Sequence, residues 1–321
     1  MSEKEKLIRN LEKMGIDVQT LLVLPFEAYK SRKREHKLYK DDDKLPTQLI
    51  RIYYGLNPDK ILFDNMKKSF ISQYMKQESE LESVHCKEEI KGLGEMYKYM
   101  HNNDMNQMFV EARKSNWFCK NYTSFTLKKL HSLLYTYAPY PELAGVFRTE
   151  DVYLPGTGTE LSEWSMIKYK IEDIDDNIIA LKQIAKTVTS MEDMLAYLDI
   201  CVETMCKLIK IHPFRDGNGR TIRCFINNLL EEVNFPPIYI RANERTAYHS
   251  AMNKANNEGN YDSIKNFYRY KIVDSIVELD IKPRLEAENK EVQRISKKEE
   301  IKSSENGDDV KHYVMKRDRK K

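Results

Sequence analysis

His212-Pro213-Phe214-Arg215-Asp216-Gly217-Asn218-Gly219-Arg220 is the stretch on which the reading of this chain turns. It sets an imidazole, a carboxylate, three consecutive small turn-forming residues and a guanidinium within one short loop. Apolar helical patterns flank it. From Met191 to Ile211, Met194, Leu195, Leu198, Val202, Met205 and Ile209 form one apolar stripe. From about Arg220 to Val233, Ile222, Phe225, Ile226, Leu229 and Leu230 form another, which Pro236-Pro237 ends. The glycines therefore precede a helix. Glycine admits positive φ and lets a ligand approach the backbone. A helix start offers unpaired N–H groups and a partial positive charge. Gly217, Asn218 and Gly219 together predict an anion nest. Arg220 and Arg223 share nearly one helix face, and both suit phosphate oxygens. Asp216 is a hard oxygen ligand fit for Mg²⁺, and His212 is fit to take a proton from an attacking hydroxyl. Phe214 reads as an anchor to the core. No GxxxxGK[ST] competes for the phosphate role, and neither Gly92-x-Gly94 nor Gly156-x-Gly158 reaches a third glycine at the needed spacing.

The whole chain has an ordinary soluble composition. Its 321 residues are 41% hydrophobic and 32% charged. The 53 basic and 50 acidic residues leave a net charge of +3, which gives no basis for nucleic-acid binding. No apolar run approaches the ~18–20 residues of a membrane span, so no membrane partner is expected. The charged start leads into no signal-peptide apolar region. The expectation is a cytoplasmic protein, with export as an effector through a non-cleaved signal left open. Five cysteines, an odd number with no CxxC pair, fit reduced thiols.

Only 11 glycines and 10 prolines occur, which favours long helices. Residues 1–75 read as helices and connections, with a charge cluster from Lys30 to Lys44. Residues 78–100 read as one helix carrying Leu81, Val84, Ile90 and Leu93, and residues 105–138 as two more. Pro139 and Pro141 break the pattern. Val146-Phe147-Arg148 and Val152-Tyr153-Leu154 then predict two short strands around the turn Pro155-Gly156-Thr157-Gly158. Further helices are expected at about Asn243 to Asn256 and Tyr261 to Val277, and beyond Lys282 a charged tail.

His212 through Arg220 resembles the HPFx[D/E]GNGR signature of the Fic family, with every specified position filled. The likeness extends from roughly Phe70 to Val277. It implies an all-α helical bundle with a small β-hairpin flap. Residues 1–69 would form a helical extension, residues 70–281 the Fic domain, and residues 282–321 a partly disordered tail. It also implies transfer of AMP from ATP, with Mg²⁺ or Mn²⁺, to a Tyr, Thr or Ser hydroxyl of a protein target or of the enzyme itself. By that likeness His212 is the general base and Asp216 the metal ligand. Gly217, Asn218 and Gly219 bind the α-phosphate, and Arg220, with Arg223 nearby, grips the outer phosphates. Gly219 favours nucleotide transfer, since kinase-type relatives carry lysine there. Asn227, Tyr248 and Asn256 fall where similar proteins contact adenosine. Val152, Tyr153 and Leu154 fall in the flap that pairs with an extended target segment.

Many relatives carry an inhibitory helix reading [S/T]xxxE[G/N]. Here it would lie near residues 78–92 with Glu82 as its glutamate, although Glu78 replaces Ser/Thr and Ser83 replaces Gly/Asn. The likeness implies that Glu82 reaches Arg220 and neutralises its grip, in assemblies that are often homo-oligomeric. Two alternatives stand beside a self-inhibited transferase. One is a hydrolase in which Glu82 activates water to remove AMP. The other is a non-catalytic binding protein on the same scaffold.

Overall fold

The computed structural model describes residues 3–18, 21–23, 25–26, 29, 43–56, 62–101, 121–154, 158–283, 285–287 and 289–295. The expected helices at 105–120, most of the Lys30–Lys44 cluster, the hairpin turn at 155–157 and the tail from 296 lie outside those residues. The described residues are all-α. They form α1 (Glu3–Lys13), α2 (Leu45–Leu56), α3 (Leu62–Leu81), α4 (Lys87–His101), α5 (Tyr122–Leu134), α6 (Ile167–Ile184), α7 (Met191–Ile211), α8 (Asn218–Glu232), α9 (Arg245–Glu258) and α10 (Asp262–Ile276), joined by short 3₁₀ turns. None of these helices is long and apolar enough to cross a membrane.

The two helices flanking the signature loop are the best specified. Ser190 caps α7 by accepting a hydrogen bond from the Asp193 N–H at 3.1 Å, and Glu192 and Asp193 complement its positive end. Leu195, Leu198, Val202 and Met205 are buried along it. α8 is buried on nearly every side, which marks a central helix. It packs against α4, α5, α6 and α7, while α9 lies on α7 and α10. The buried core runs without a break from Leu22 to Ile281. The residues before 70 join it through Tyr29, whose hydroxyl donates to Asp274 at 2.7 Å, and Tyr53, whose hydroxyl donates to Asp280 at 2.7 Å.

Two expectations need correction. The helix read over 78–100 is interrupted. α3 stops at Leu81, Ser83 adopts φ +56°, and α4 starts at Lys87. Val84 N donates to Ser79 O at 2.8 Å and Ser83 N to Glu80 O at 3.3 Å. That pair of bonds is a Schellman stop, with Ser83 at the left-handed position where glycine or asparagine is usual. Arg245 of α9 fixes the same turn, donating to Glu80 O at 2.7 Å and Ser83 Oγ at 2.9 Å. The interruption puts Glu82 at a helix end instead of mid-helix.

The β-hairpin flap is also absent among the described residues, which contain no strand. Arg148 ties the segment before the turn to the signature loop, and Ser162 ties the segment after it to α7. Arg148 N donates to Pro213 O at 3.0 Å, and Ser162 N to Lys210 O at 3.2 Å. Val152 and Leu154 are half-buried while Tyr153 is 82% exposed, so Tyr153 faces outward from this arm.

Candidate active site

The signature loop caps α7 and starts α8. His212 is the C-cap of α7 and holds the left-handed conformation at φ 52°, ψ 64°, which a non-glycine residue adopts only when its surroundings enforce it. Arg148 supplies the enforcement. Its buried guanidinium donates from Nε to His212 O at 2.8 Å, from Nη2 to Ile211 O at 3.4 Å and Ser162 O, and from Nη1 to Glu150 O at 2.8 Å. A cation thus satisfies the free carbonyls at the end of α7. Burial is the main force pushing the His212 imidazole down to about 4, and the Arg148 charge adds to it against the Ile209 backbone. The ring is therefore neutral at pH 7 and able to accept a proton. Its Nδ1 is buried with no well-formed hydrogen bond.

Gly217 is the N-cap of α8 at φ 73°, and a Cβ there would lie 2.9–3.0 Å from Tyr135 and Leu134. Only glycine satisfies both demands. Asn218 closes the loop on itself. Its Nδ2 donates to Phe214 O and its Oδ1 accepts from Phe214 N, both at 2.8 Å. Phe214 is fully buried and stacks on His131 with ring centroids 3.8 Å apart. His131 has its own task. Its Nδ1 accepts from Gly145 N at 3.0 Å, so its Nε2 carries the proton and donates to Asp216 O at 3.0 Å.

The Asp216 side chain is 65% exposed. Its Oδ2 accepts from the Tyr135 hydroxyl at 2.8 Å and from Arg220 Nη2 at 3.2 Å. Partial burial raises its pKa, but Arg220, Tyr135 and the Gly217 N–H outweigh that and hold the carboxyl below its ordinary range. An exposed, ionised carboxylate fits a hard divalent cation that keeps most of its waters. No cluster of three or more metal-ligating side chains exists among the described residues, so an all-protein metal cage does not.

The two arginines of α8 are buried and held by carboxylates from α3 and α4. Arg220 Nη1 donates to Glu89 at 2.5 Å and Nη2 to the Tyr135 hydroxyl at 3.2 Å. Glu89 also accepts from Tyr140. Arg223 donates to Glu78 from Nε and Nη2, and from Nη2 to Glu82 Oε1 at 2.5 Å. Glu82 therefore meets Arg223 and not Arg220, which corrects the expected pairing. Arg220 lies one turn away and is already claimed by Glu89 and Asp216. The Glu82 carboxylate also abuts the nest: a Cβ on Gly219 would lie 2.5 Å from Glu82 Oε1 and 2.7 Å from Arg223 Nη1. Burial raises the Glu82 pKa, but Arg223 dominates and the carboxyl stays below its ordinary range.

Three residues expected at the adenosine are each engaged within the protein. Asn227 is buried and spends both functions on Ile238, donating to its carbonyl at 2.8 Å and accepting from its N–H at 2.9 Å. It braces α8 against the following segment. Tyr248 is buried against Phe267 with its ring 5.8 Å from the Arg223 guanidinium. Asn256 is half-buried, and its backbone carbonyl accepts from Lys210 Nζ at 2.8 Å. Two cavities of about 440 Å³ lie elsewhere, one lined by Ser162, Lys170, Lys207 and Lys210, the other by Asp43, Asp199 and Arg269.

Residues 121–230 match the profile of the Fic/DOC family. The chain carries a Fic domain. A 64-residue stretch is 44% identical to the Protein adenylyltransferase Fic of Nematostella vectensis, covering 20% of this chain and 14% of that protein. The namesake from Aedes aegypti is also 44% identical over 64 residues, covering 20% and 12%. The likeness thus spans 12–14% of the length of these curated relatives. Among solved structures, Fic-1 from C. elegans superposes with a TM-score of 0.53 at 19% identity, over 74% of this chain and 71% of that one. A Fic domain containing signaling protein from Bacteroides thetaiotaomicron gives 0.56 at 14% identity, over 72% and 94%. At these identities the superpositions establish a shared fold. The matched region holds Arg220 and Arg223, while Glu78, Glu82 and Glu89 lie before it.

Sequence reasoning missed Arg148, His131, Tyr135 and Glu89. His131 and Tyr135 sit four apart on one face of α5, a spacing that could have flagged them. Glu89 was one of several neighbouring glutamates and carried no distinguishing signal.

Proposed function

We propose that this chain is a protein adenylyltransferase that moves AMP from ATP to a Tyr, Thr or Ser hydroxyl, and that Glu82 restrains it. The observation that carries this reading is the Glu82 carboxylate, seated on Arg223 and against Gly219 at the start of α8. A helix start beside two arginines is an anion site, and a carboxylate there competes with phosphate for the same donors. His212, neutral and fixed by Arg148, takes the proton of the attacking hydroxyl. The hydroxyl oxygen bonds to the α-phosphorus, the bond to the bridging oxygen breaks, and pyrophosphate leaves. The backbone N–H groups at the start of α8 and Arg220 are the donors available to the charge that develops. Asp216 would hold Mg²⁺ or Mn²⁺, which supplies charge neutralisation to the phosphates. The extended Val152–Leu154 arm, with Tyr153 outward, suits pairing with an extended target segment.

Mass spectrometry of Glu82→Gly after incubation with ATP and Mg²⁺, alone and with cell lysate, tests the reading. An added AMP on the enzyme or on a lysate protein is expected. His212→Ala in that background should cut the labelling by about 10²–10⁴-fold. No AMP adduct from a folded Glu82→Gly protein contradicts the proposal. Release of AMP from a labelled protein by the wild type, lost in Glu82→Gly, would favour the hydrolase reading.

A further inference from the structure

Glu78 and Glu82 both touch Arg223, but they hold different parts of it. Glu78 takes the lateral edge, with Nε 3.1 and 3.0 Å from its two oxygens and Nη2 2.6 Å from Oε2. A two-point contact on that edge fixes the plane of the guanidinium. Nη1 then points toward Gly219, 2.7 Å from the place a Cβ would occupy. Glu82 makes a single contact, through Oε1 to Nη2. Arg223 therefore presents its end-on edge to the start of α8, with Glu82 in front of that edge and Glu78 beside it.

The two carboxylates also differ in their freedom to leave. Glu78 is completely buried in the last turns of α3, and its departure would strand two charges away from water. Glu82 is the last residue before the left-handed Ser83, and its side chain is 34% exposed. It can rotate into solvent without opening the core. Similar proteins have Ser or Thr where Glu78 stands, and a hydroxyl cannot make this two-point contact.

We infer that Glu78 is a positioning residue that keeps the end-on edge of Arg223 aimed at the start of α8, so that withdrawal of Glu82 exposes an arginine already set for the phosphates of a nucleotide. This rests on the nucleotide-transfer reading above. The opposite role, a second blocking carboxylate, predicts the opposite sign: removing Glu78 should then strengthen nucleotide binding.

The test uses the full chain and compares Glu82→Gly with Glu82→Gly/Glu78→Gln and Glu82→Gly/Glu78→Asp, by calorimetric titration with ATP and Mg²⁺ and by steady-state AMP transfer. Loss of a charge-assisted contact predicts that Glu78→Gln raises both Kd and KM for ATP by about 10–100-fold, while kcat at saturating ATP stays near that of Glu82→Gly. Glu78→Asp should restore part of the affinity. Unchanged or tighter binding in Glu82→Gly/Glu78→Gln overturns the inference. Should that variant not fold, a crystal structure of Glu82→Gly decides the matter. Arg223 remaining on Glu78 and aimed at Gly219 is expected, and a guanidinium swung away from Glu78 overturns it. If Glu82→Gly binds no ATP at all, the nucleotide reading fails, and the orientation of Arg223 still decides what Glu78 does.

Discussion

His131 and His212 face each other across the function of the loop without touching chemistry in the same way. Burial pushes both down to about 4, but His131 is committed to hydrogen bonds through both nitrogens and His212 is not. Protonating His131 would turn its Nδ1 from acceptor to donor and lose the Gly145 N–H. Its folded pKa lies below the ordinary value of about 6.5, so the unfolded chain binds more protons between those limits. Stability contributed by neutral His131 is thus full above pH ~6.5 and is lost progressively toward pH 4. Urea unfolding of wild type and His131→Gln across that range checks this. The difference in stability between them should narrow as pH falls, with the wild type losing up to one proton's worth of slope. A pH-independent difference would contradict the assignment. At this scale the sequence was informative inside the nine-residue loop and poor outside it. His212, Asp216, Gly217 and Gly219 could be singled out because the pattern that joins them is local. The partners of Arg220 and Arg223 come from residues 78, 82 and 89, more than a hundred positions upstream, and no local pattern says which glutamate meets which arginine. The amide bonds of Asn218 and Asn227 to backbone were not legible for the same reason, since an amide that bonds backbone looks identical in sequence to one that faces solvent.

The helices α7 and α8 matched their apolar periods closely because every turn of each carries a buried side chain. The breaks were harder to see. Val84 and Ile90 continue the apolar spacing across residues 82–86, so the period hid a stop that depends on Ser83 adopting positive φ and on Arg245 arriving from α9. Likewise, alternating residues near 146–154 imitate a strand, yet Val146 N turns back to Leu143 O and Arg148 N bonds to Pro213 O of the signature loop. Close approach at an element boundary leads to a direct comparison. Gly217 and Gly259 have φ of +73° and +70°, but a Cβ on Gly217 meets Tyr135 and Leu134 at 2.9–3.0 Å, whereas one on Gly259 meets nothing within 4 Å. Alanine at Gly259 should cost about 1–2 kcal/mol, the left-handed penalty alone. Alanine at Gly217 adds overpacking, a further ~1–3 kcal/mol. Chemical denaturation of the two variants measures the gap, and equal losses would show that Tyr135 yields freely.

On the scale of the molecule, residues that precede the Fic match lie over two arginines inside it. α3 and α4 lay three glutamates over the two arginines of α8, and the core that seats those helices is continuous with the rest of the chain. Four carboxylates, Glu78, Glu82, Glu89 and Asp216, surround two guanidiniums, so this arrangement is poorly disposed toward a polyphosphate until one carboxylate leaves. Of the three glutamates, Glu82 is the one with an exit to solvent and the one that covers Gly219. A calorimetric titration of wild type and Glu82→Gly with ATP and Mg²⁺ under identical salt tests that claim most directly. Removal of a competing charged contact predicts that Glu82→Gly binds at least about tenfold tighter. Equal affinity in the two proteins would show that Glu82 does not guard the phosphate site.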